Sequence, residues 1–216
     1  MTLPFITESD QRDAIPKTVT HLQAGGLLGY PTETVYGLGS LATPDGLTAL
    51  IQLKGRAPGK PFLLLISSRA MAESSGLTFN ASASALASAF WPGPLTLVLP
   101  GGEGHLPDSL RGVEGGIAVR HTSHAGIARL VAELGAPLTS TSANRPGQQP
   151  APGVTRLVEF FRSAVDAGQL LVLDGGVLGN VPSSTVLDCT GVIPKMIRAG
   201  AIPVAELRGA VGSLAP

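Results

Sequence analysis

The chain has 216 residues, of which 44% are hydrophobic and 4% aromatic, and its formal net charge is zero. That balance argues against a strongly basic protein that coats nucleic acid, and a single cysteine allows neither an intramolecular disulfide nor a cysteine-rich zinc site. With no signal-peptide pattern and no apolar run near the roughly 20 residues of a membrane span, we expect a cytoplasmic protein without membrane contact.

The first part of the chain predicts a helix, a strand and a second helix. The first helix is expected to start with Ser9 or Asp10 as its cap and to stop at Gly25, because such residues favour helix starts and glycine favours helix ends. The buried strand LLGYPT follows, and the helix LTALIQLKG then ends at Gly55. Three residues of this second helix are expected to face the core: Leu47, Leu50 and Ile51.

The rest of the chain continues the alternation. The apolar run PFLLLIS is typical of a strand covered on both faces. Then come the helix ASASALASAFWPG, the strands LTLVLP and GIAVR, the helix HAGIARLVAELG, the strand PLTSTSAN and the helix TRLVEFFRSAVDAG. Three strands, LLVLDGG, STVLDC and KMIRAG, precede a last helix, VAELRGAVG, and the tail after Leu207 is expected to fray. This order predicts one α/β domain over residues 1–216, with helices packed on a twisted, mixed sheet.

Three cations stand close together in the stretch LKGRAPGKPF. Lys54, Arg56 and Lys60 occur here although lysine and arginine total only 15 in the whole chain. Glycine and proline turns fix where such side chains point, and converging ammonium and guanidinium groups suit a triphosphate. A helix C-terminus alone would explain Lys54, since cations there offset the helix dipole. Three cations in one rigid turn favour the anion site.

Hydroxyl groups follow the first strand in the stretch YPTETVYGLGS. Thr32, Thr34 and Tyr36 follow the strand, and Gly37 and Gly39 come directly after them. One interpretation is a turn whose threonines bond the local backbone, and for this stretch alone that interpretation is the stronger. The other is a small polar pocket in which the glycines let a ligand approach the backbone.

A second polar cluster ends the predicted strand PLTSTSAN. Ser140, Thr141, Ser142 and Asn144 offer donors and acceptors for phosphate or ribose oxygens, although the same residue types are common in capped turns. Arg120 closes the apolar strand GIAVR, a position that favours a functional side chain over a solvated one. Ligands of α/β sheets collect at strand ends, so these residues are candidates for a binding site.

Other motifs are weaker or absent. His121 and His124 lack a nearby carboxylate or cysteine to complete a metal site, so we interpret them as structural or surface residues. Further along, Ser184 precedes a strand and Arg198 ends the next one. The chain contains no Walker A phosphate loop, no G-x-G-x-x-G motif and no G-x-S-x-G elbow. A nucleotide would therefore have to bind by another route.

Several of these stretches form one ordered set. They are YPTETVYGLG, the K-x-R motif in LKGR, WPGPLTLVL, IAVR, STSAN, and SSTVLD followed by IRAGAI, and they span about residues 10–205. In this order they resemble the YrdC-like family of L-threonylcarbamoyladenylate synthases. The resemblance implies the short, single-domain form of the family, with a large concave, positively lined cavity on a twisted mixed sheet.

The resemblance also implies a reaction. The enzyme would make L-threonylcarbamoyl-AMP and pyrophosphate from L-threonine, bicarbonate and ATP, with Mg²⁺ arriving on the ATP and bound mainly by phosphate oxygens and water. Separate proteins would then transfer the threonylcarbamoyl group to the adenosine next to the anticodon of tRNA. Binding of tRNA by this chain would be weak or indirect.

Each motif residue has an expected role under the same resemblance. The residues expected to contact ATP are Arg56, Lys60, Ser142 and Arg198. The residues expected to hold L-threonine are Thr34, Arg120, Ser140 and Ser184. Lys54 would neutralise phosphate charge and Asn144 would order the loop at the metal–phosphate end. The expected catalytic group is Lys54, Arg56, Ser142 and Asn144, and no residue is expected to be a dedicated metal ligand.

The chain departs from the family pattern at two places. Leu65 stands where many members have a histidine, and VRHTSHAG puts Thr122 and Ala125 where V-R-x-P-x-H-P has prolines. One alternative to the synthase is a paralogue of the fold that binds RNA, including double-stranded RNA, on a cationic concave surface, or that uses another acceptor. Another is the carbamoyl-transfer domain of hydrogenase maturation factors, which normally occurs in longer chains with zinc-finger cysteines.

Overall fold

The computed structural model describes residues 1–55, 61–179 and 181–215. Within these residues, seven α-helices and ten strands follow one another along the chain. The helices are α1 (Glu8–Gln23), α2 (Pro44–Lys54), α3 (Arg69–Ser74), α4 (Ala81–Phe90), α5 (Ala125–Leu134), α6 (Val154–Asp166) and α7 (Val204–Val211). The strands are β1 (Thr2–Pro4), β2 (Leu27–Tyr30), β3 (Gly37–Gly39), β4 (Leu63–Ile66), β5 (Leu95–Leu99), β6 (Ile117–His121), β7 (Leu138–Ser142), β8 (Leu170–Asp174), β9 (Thr185–Asp188) and β10 (Lys195–Arg198).

These strands form one mixed sheet. Across the described part of the chain their order is β1-β8-β2-β3-β7-β4-β6-β5-β9-β10. Parallel neighbours, such as β4 and β6, occur beside antiparallel ones, such as β4 and β7. The predicted class, an α/β fold with a mixed sheet and flanking helices, is confirmed. Among the same residues, no helix has the length and apolar character needed to span a bilayer.

The start of α1 differs from the prediction. Thr7 caps the helix: its hydroxyl accepts the amide hydrogen of Asp10, and the Asp10 carboxylate accepts that of Thr7. This reciprocal pair satisfies two amides that the first helical turn leaves without partners. Ser9 and Asp10 are therefore inside the helix, and the prediction that one of them is the cap was wrong.

The buried face of α2 also differs in one residue. Leu47 and Leu50 are buried as predicted, but Ile51 is 40% exposed and Lys54 is buried in its place. Positions 47, 50 and 54 share one face because three- and four-residue steps complete helical turns. Gly55 ends the helix in the left-handed conformation, with φ of 62°, as predicted.

A few elements have no clear sequence signal. β1 and β3 contain three residues each, fewer than the pattern of a strand needs to become visible. The six-residue helix α3 was likewise not predicted. At the other end, α7 runs to Val211 and Ala215 pairs with Lys195 beside the sheet, so the predicted fraying after Leu207 was wrong.

The helices cover the two faces of the sheet unequally. On one face, α2, α4, α6 and α7 contribute to a single large apolar cluster. On the other, α1 and α5 pack over a second cluster that includes Leu65 and Leu138. Ser140 lies two residues beyond Leu138 on the same side of β7, and it lines a cavity instead. We call the part of this face under α1 and α5 the covered half and the part that lines the cavity the open half.

Candidate functional site

The open half of the sheet forms a cavity of about 310 Å³. It is lined mainly by hydroxyl-bearing and cationic side chains from β7, β6, β5, β10 and the turns beside them. Six residues predicted from the sequence line it together: Thr34, Arg120, Ser140, Ser142, Ser184 and Arg198. The chain therefore brings segments more than 160 positions apart to one wall, as a shared ligand site requires.

Arg120 is one of the two cations among the described residues that line this cavity. It lies near the end of β6, directly beside Leu65 of β4, and is only 4% exposed. One of its terminal nitrogens, Nη1, donates to Thr34 Oγ1 at 3.4 Å, and its Nε lies 3.8 Å from Glu33 Oε1. Burial of the stem and these two neighbours fix the guanidinium at the cavity, which is the arrangement that recognition of a carboxylate needs.

Arg198 forms a second cationic position, and Ser184 holds it. The guanidinium donates to the Ser184 carbonyl oxygen from Nε at 3.2 Å and from Nη2 at 2.7 Å, and Nη2 also donates to Ser184 Oγ. Ser184 Oγ in turn shares a hydrogen bond of 2.9 Å with Thr96 Oγ1. Gly200 permits this corner, because a Cβ there would lie 2.3 Å from the carbonyl oxygen of Ser183.

A β-bulge aims Arg198 into the cavity. Met196 pairs with Leu187, but the next pair joins Arg198, not Ile197, to Val186. The extra residue moves Ile197 out of register, and its side chain is 43% exposed. Val186 and Arg198 consequently line the same cavity. In a regular strand Ile197, and not Arg198, would pair with Val186 and face the cavity.

The two guanidinium groups influence each other. Burial lowers the pKa of Arg198 below its usual value, and the positive charge of Arg120 lowers it further. Two cations on one wall of a cavity repel each other, and an anion between them would relieve that repulsion. The electrostatics of the open half therefore favour a ligand with carboxylate or phosphate groups.

The turn after β2 satisfies both interpretations of its threonines. Thr32 Oγ1 donates to the Val35 carbonyl at 2.7 Å and accepts the amides of Thr34 and Val35, which confirms the local-turn interpretation. Thr34 Oγ1 accepts from Arg120 and lines the cavity, which places the same turn in the pocket. Gly39 is explained by packing, because a Cβ there would lie 2.1 Å from the Thr139 carbonyl oxygen.

Lys54 and Asn144 lie beside the cavity and tie its wall together. Lys54 is buried, and its ammonium donates to the carbonyl oxygens of Ser142 and Asn144 and to Asn144 Oδ1. Ser142 Oγ donates to the same Oδ1 at 2.7 Å. This network fixes the turn that follows β7. The predicted neighbours Arg56 and Lys60 lie outside the described residues, so their roles stay predictions.

Sequence reasoning gave no site role to three polar residues in or beside the cavity: Glu33, Thr96 and Thr122, the last of which it noted only as a departure from a family proline. Glu33 stands between two threonines that were noticed, and its position at a strand end was the available signal. Thr96 lies inside an apolar strand, and nothing in the sequence separates it from a satisfied core hydroxyl. Leu65 is fully buried in the cluster under α1 and α5, so its side chain packs in the core beside Arg120.

The histidines and carboxylates do not gather into a metal site. Among the residues that the structure describes, no group of three or more histidine, cysteine, aspartate or glutamate side chains is placed to hold a metal ion. Burial lowers the pKa of both His121 and His124, and the charge of Glu33 opposes that shift only in part. His124 caps α5, since its Nδ1 accepts the amide hydrogen of Ile127.

Two further cavities differ in their relation to the open half. One of about 740 Å³ adjoins it and shares Thr34, Val35, Pro150 and Ser183 with it. Together the two have room for a ligand much larger than an amino acid. The other, of about 630 Å³, is lined from α1, α2 and α6 and shares none of the described lining residues.

Comparison with known proteins identifies the family. The Sua5/YciO/YrdC family model, whose description reads "Telomere recombination", matches residues 20–200. The chain belongs to this family. The resemblance drawn from the ordered motifs is thereby confirmed.

The chain is similar to named members of the family in both sequence and structure. A threonylcarbamoyl-AMP synthase of Alkalilimnicola ehrlichii is 42% identical over 152 residues, which are 70% of this chain and 78% of the relative. The crystal structure of P. abyssi Sua5 complexed with L-threonine has a TM-score of 0.86 and 31% identity, covering 100% of this chain and 62% of that chain. E. coli YciO has a TM-score of 0.79 and 25% identity, over 94% of this chain and 97% of its own.

Length separates some of these relatives from the present chain. It spans 56% of the length of the Pyrococcus abyssi threonylcarbamoyl-AMP synthase, to which it is 32% identical over 194 residues. The part that aligns contains every described residue of the cavity, because the structural match to P. abyssi Sua5 covers the whole chain.

Proposed function

We propose that this protein is an L-threonylcarbamoyladenylate synthase, which forms L-threonylcarbamoyl-AMP and pyrophosphate from L-threonine, bicarbonate and ATP. The observation that carries the proposal is the pairing of Arg120 and Arg198 in one hydroxyl-lined cavity. An amino acid carries a carboxylate and a nucleotide carries phosphates, so a cavity that binds both needs cations at two positions. Membership of the Sua5/YciO/YrdC family and the synthases among its named relatives support the same assignment.

Arg120 would bind the carboxylate of L-threonine. A buried, oriented guanidinium can donate two parallel hydrogen bonds to a carboxylate, and such charge-assisted bonds are stronger than neutral ones. Thr34 and Ser140 line the cavity near this position and would bond the amino or hydroxyl group of the same ligand. Ser184, which is held by Arg198, completes the set proposed for the amino acid.

ATP would occupy the side of the cavity that contains Arg198 and extend into the adjoining space. Arg198 and Ser142 line the cavity, and Arg56 and Lys60 follow Lys54 in the sequence. These cations would neutralise phosphate charge that builds up as pyrophosphate leaves. Lys54 would act through its hold on Ser142 and Asn144, which keeps the phosphate-binding turn in place.

The chemistry then depends on positioning. The amino nitrogen of threonine bonds to the carbon of bicarbonate, water leaves, and a carbamate forms. A carbamate oxygen attacks the α-phosphorus of ATP, the bond to the bridging oxygen breaks, and that oxygen leaves with pyrophosphate. Holding the two reactants in line and neutralising the leaving charge can supply most of the rate enhancement of such a transfer.

Mg²⁺ would come with the nucleotide. The described residues offer no cluster of side chains that could hold the ion alone, so phosphate oxygens and water would be its main ligands. The product would pass to separate proteins that modify the adenosine beside the tRNA anticodon. No step proposed for this chain requires direct contact with tRNA.

The deciding assay measures pyrophosphate release from ATP and bicarbonate with L-threonine, L-serine, L-valine or no amino acid. We expect release to require an amino acid, with L-threonine preferred. Because Leu65 replaces a polar residue of the family pattern, discrimination against L-serine is expected to be modest. If none of the three amino acids stimulates release, the synthase assignment fails and the chain is a family member with another acceptor.

A further inference from the structure

Thr122 does not line the cavity but contacts Glu33, the neighbour of Arg120. It directly follows β6, is fully buried, and donates a hydrogen bond from Oγ1 to Glu33 Oε2. Thr122 Oγ1 also accepts the amide hydrogen of His124 at 3.2 Å. Thr122 and Glu33 are 89 positions apart in the chain. The family pattern described above has proline where this chain has Thr122, and proline has no hydroxyl.

The other oxygen of Glu33 faces Arg120. Glu33 Oε1 lies 3.8 Å from Arg120 Nε, and the two side chains are 16% and 5% exposed. Neither of these two buried atoms has a hydrogen-bond partner among the described residues. The attraction between the charges is therefore the contact that orients the Nε side of the guanidinium. If the Glu33 carboxylate could rotate, the Arg120 guanidinium would lose that orientation, because each rotamer of Glu33 places the negative charge elsewhere.

We propose that Thr122 is a positioning residue for the carboxylate-binding Arg120, and that it acts by fixing the rotamer of Glu33. The hydroxyl occupies Oε2, so Oε1 is left toward Arg120 Nε while Arg120 Nη1 bonds Thr34. The guanidinium is then held on two sides before any ligand arrives. Such pre-organisation raises affinity for the ligand without a contact of its own to it. The consequence for substrate affinity rests on the proposed function.

Three variants separate positioning from packing. Thr122→Val keeps the branched shape and removes the hydroxyl, while Thr122→Ser keeps the hydroxyl and removes a methyl group. Ser123→Ala changes the exposed neighbouring residue and serves as the matched control. Thermal unfolding of each variant shows whether it is folded at the assay temperature.

The first measurement needs no substrate. Exchange of the Arg120 Nε–H with water is followed in the ¹⁵N-labelled protein, with the signal assigned by its loss in Arg120→Lys. We expect exchange to be about tenfold faster in Thr122→Val than in the natural protein, because loss of the Thr122–Glu33 hydrogen bond lets the carboxylate move away from Arg120 Nε. Exchange should be unchanged in Thr122→Ser and Ser123→Ala. Equal exchange in the natural protein and a folded Thr122→Val overturns the proposal, whatever the enzyme's substrate is.

The second measurement is kinetic. In Thr122→Val the KM for L-threonine should rise about tenfold while the KM for ATP stays within about twofold, and in Thr122→Ser both should stay near the values of the natural protein. A general loss of structure would raise both constants or lower kcat alone. If the natural protein releases pyrophosphate with L-threonine and Thr122→Val has the same threonine KM, this inference fails and the proposed function stands. If the natural protein shows no threonine dependence, the proposed function fails and the exchange measurement decides the inference.

Discussion

The covered and open halves of one sheet face share their strands but not their chemistry. On β7, Leu138 packs under α1 and α5, whereas Ser140 lines the cavity two residues later. Between neighbouring strands, Leu65 of β4 is fully buried beside Arg120 of β6, which reaches the cavity. The place where the two helices stop therefore decides which side chains build the core and which bind a ligand.

The two halves also differ in how their polar groups are satisfied. The cluster of the covered half is apolar, and the hydroxyl of its Tyr30 donates to the Thr139 carbonyl oxygen at 3.2 Å. In the open half, hydroxyl groups and backbone carbonyls hold the cations, as Ser184 holds Arg198 and Thr34 contacts Arg120. A ligand would replace little of this network, because the site is organised before binding. We therefore expect mutations in the covered half to change stability and those in the open half to change substrate binding.

The largest expected difference is between two alanine substitutions on β7. Leu138→Ala should lower the free energy of unfolding by about 2–5 kcal/mol, because it opens a cavity in a fully buried cluster. Ser140→Ala should change it by less than about 1 kcal/mol and instead raise the KM for L-threonine. Denaturant unfolding and steady-state kinetics on both variants check the pair. Equal stability losses would remove the distinction between the halves.

Arg120→Lys tests the open half alone. A flexible ammonium cannot reproduce two fixed guanidinium bonds, so the Kd for L-threonine should rise roughly tenfold to a hundredfold. The affinity for ATP should stay nearly intact, since Arg198 is at the other cationic position. Calorimetric titration with each ligand measures the two effects separately. An equal loss of both affinities would mean that Arg120 contacts ATP as well as L-threonine, which would contradict this prediction.

Binding of RNA would use the same cations, so a binding measurement tests whether the open half recognises RNA or small ligands. The net charge of the chain is zero, and Arg120 is almost fully buried. We expect bulk tRNA to bind the isolated protein with micromolar or weaker affinity that falls as salt increases. Filter binding across salt concentrations checks this. Tight, salt-resistant binding would favour the RNA-binding paralogue that the sequence left open.

The smallest expected effect is on stability as pH falls. Burial lowers the pKa of His121 and His124, so the unfolded chain takes up protons at higher pH than the folded chain. Their contribution to stability is present above pH 6.5, the ordinary histidine pKa, and is lost as pH falls from there through the lowered pKa of the folded state. The double variant His121→Gln, His124→Asn, which keeps a capping side chain on α5, should lose less stability between about pH 7.5 and about pH 5.5. Urea unfolding at the two pH values measures the loss, and an equal loss in both proteins would contradict the assignment.

Sequence patterns predicted the parts of the fold that depend on local periodicity. The helices with clear apolar faces and the strands of four or more residues were predicted, and Gly55 ends α2 as expected. The six cavity residues were predicted because ordered motifs pointed to them, and the structure brings them together. Local rules explain why each segment forms its element, and the family resemblance connected the segments.

Features that depend on distant partners could not be predicted. The bulge that aims Arg198 arises from pairing with β9, and the sequence of β10 does not indicate it. The contact between Thr122 and Glu33 joins residues 89 positions apart and appears only when β6 reaches the turn after β2. The inward position of Lys54 depends on acceptors at the end of β7. In each case a tertiary contact, not the local pattern, decides where the side chain points.

A crystal structure of the protein with L-threonine and a non-hydrolysable ATP analogue tests the central claim most directly. The account predicts that the threonine carboxylate lies within hydrogen-bonding distance of the Arg120 guanidinium, with the nucleotide phosphates on the Arg198 side of the same cavity. The result that would contradict it is an open half without either ligand while they are ordered elsewhere, for example in the cavity of about 630 Å³ lined by His21 and Arg145.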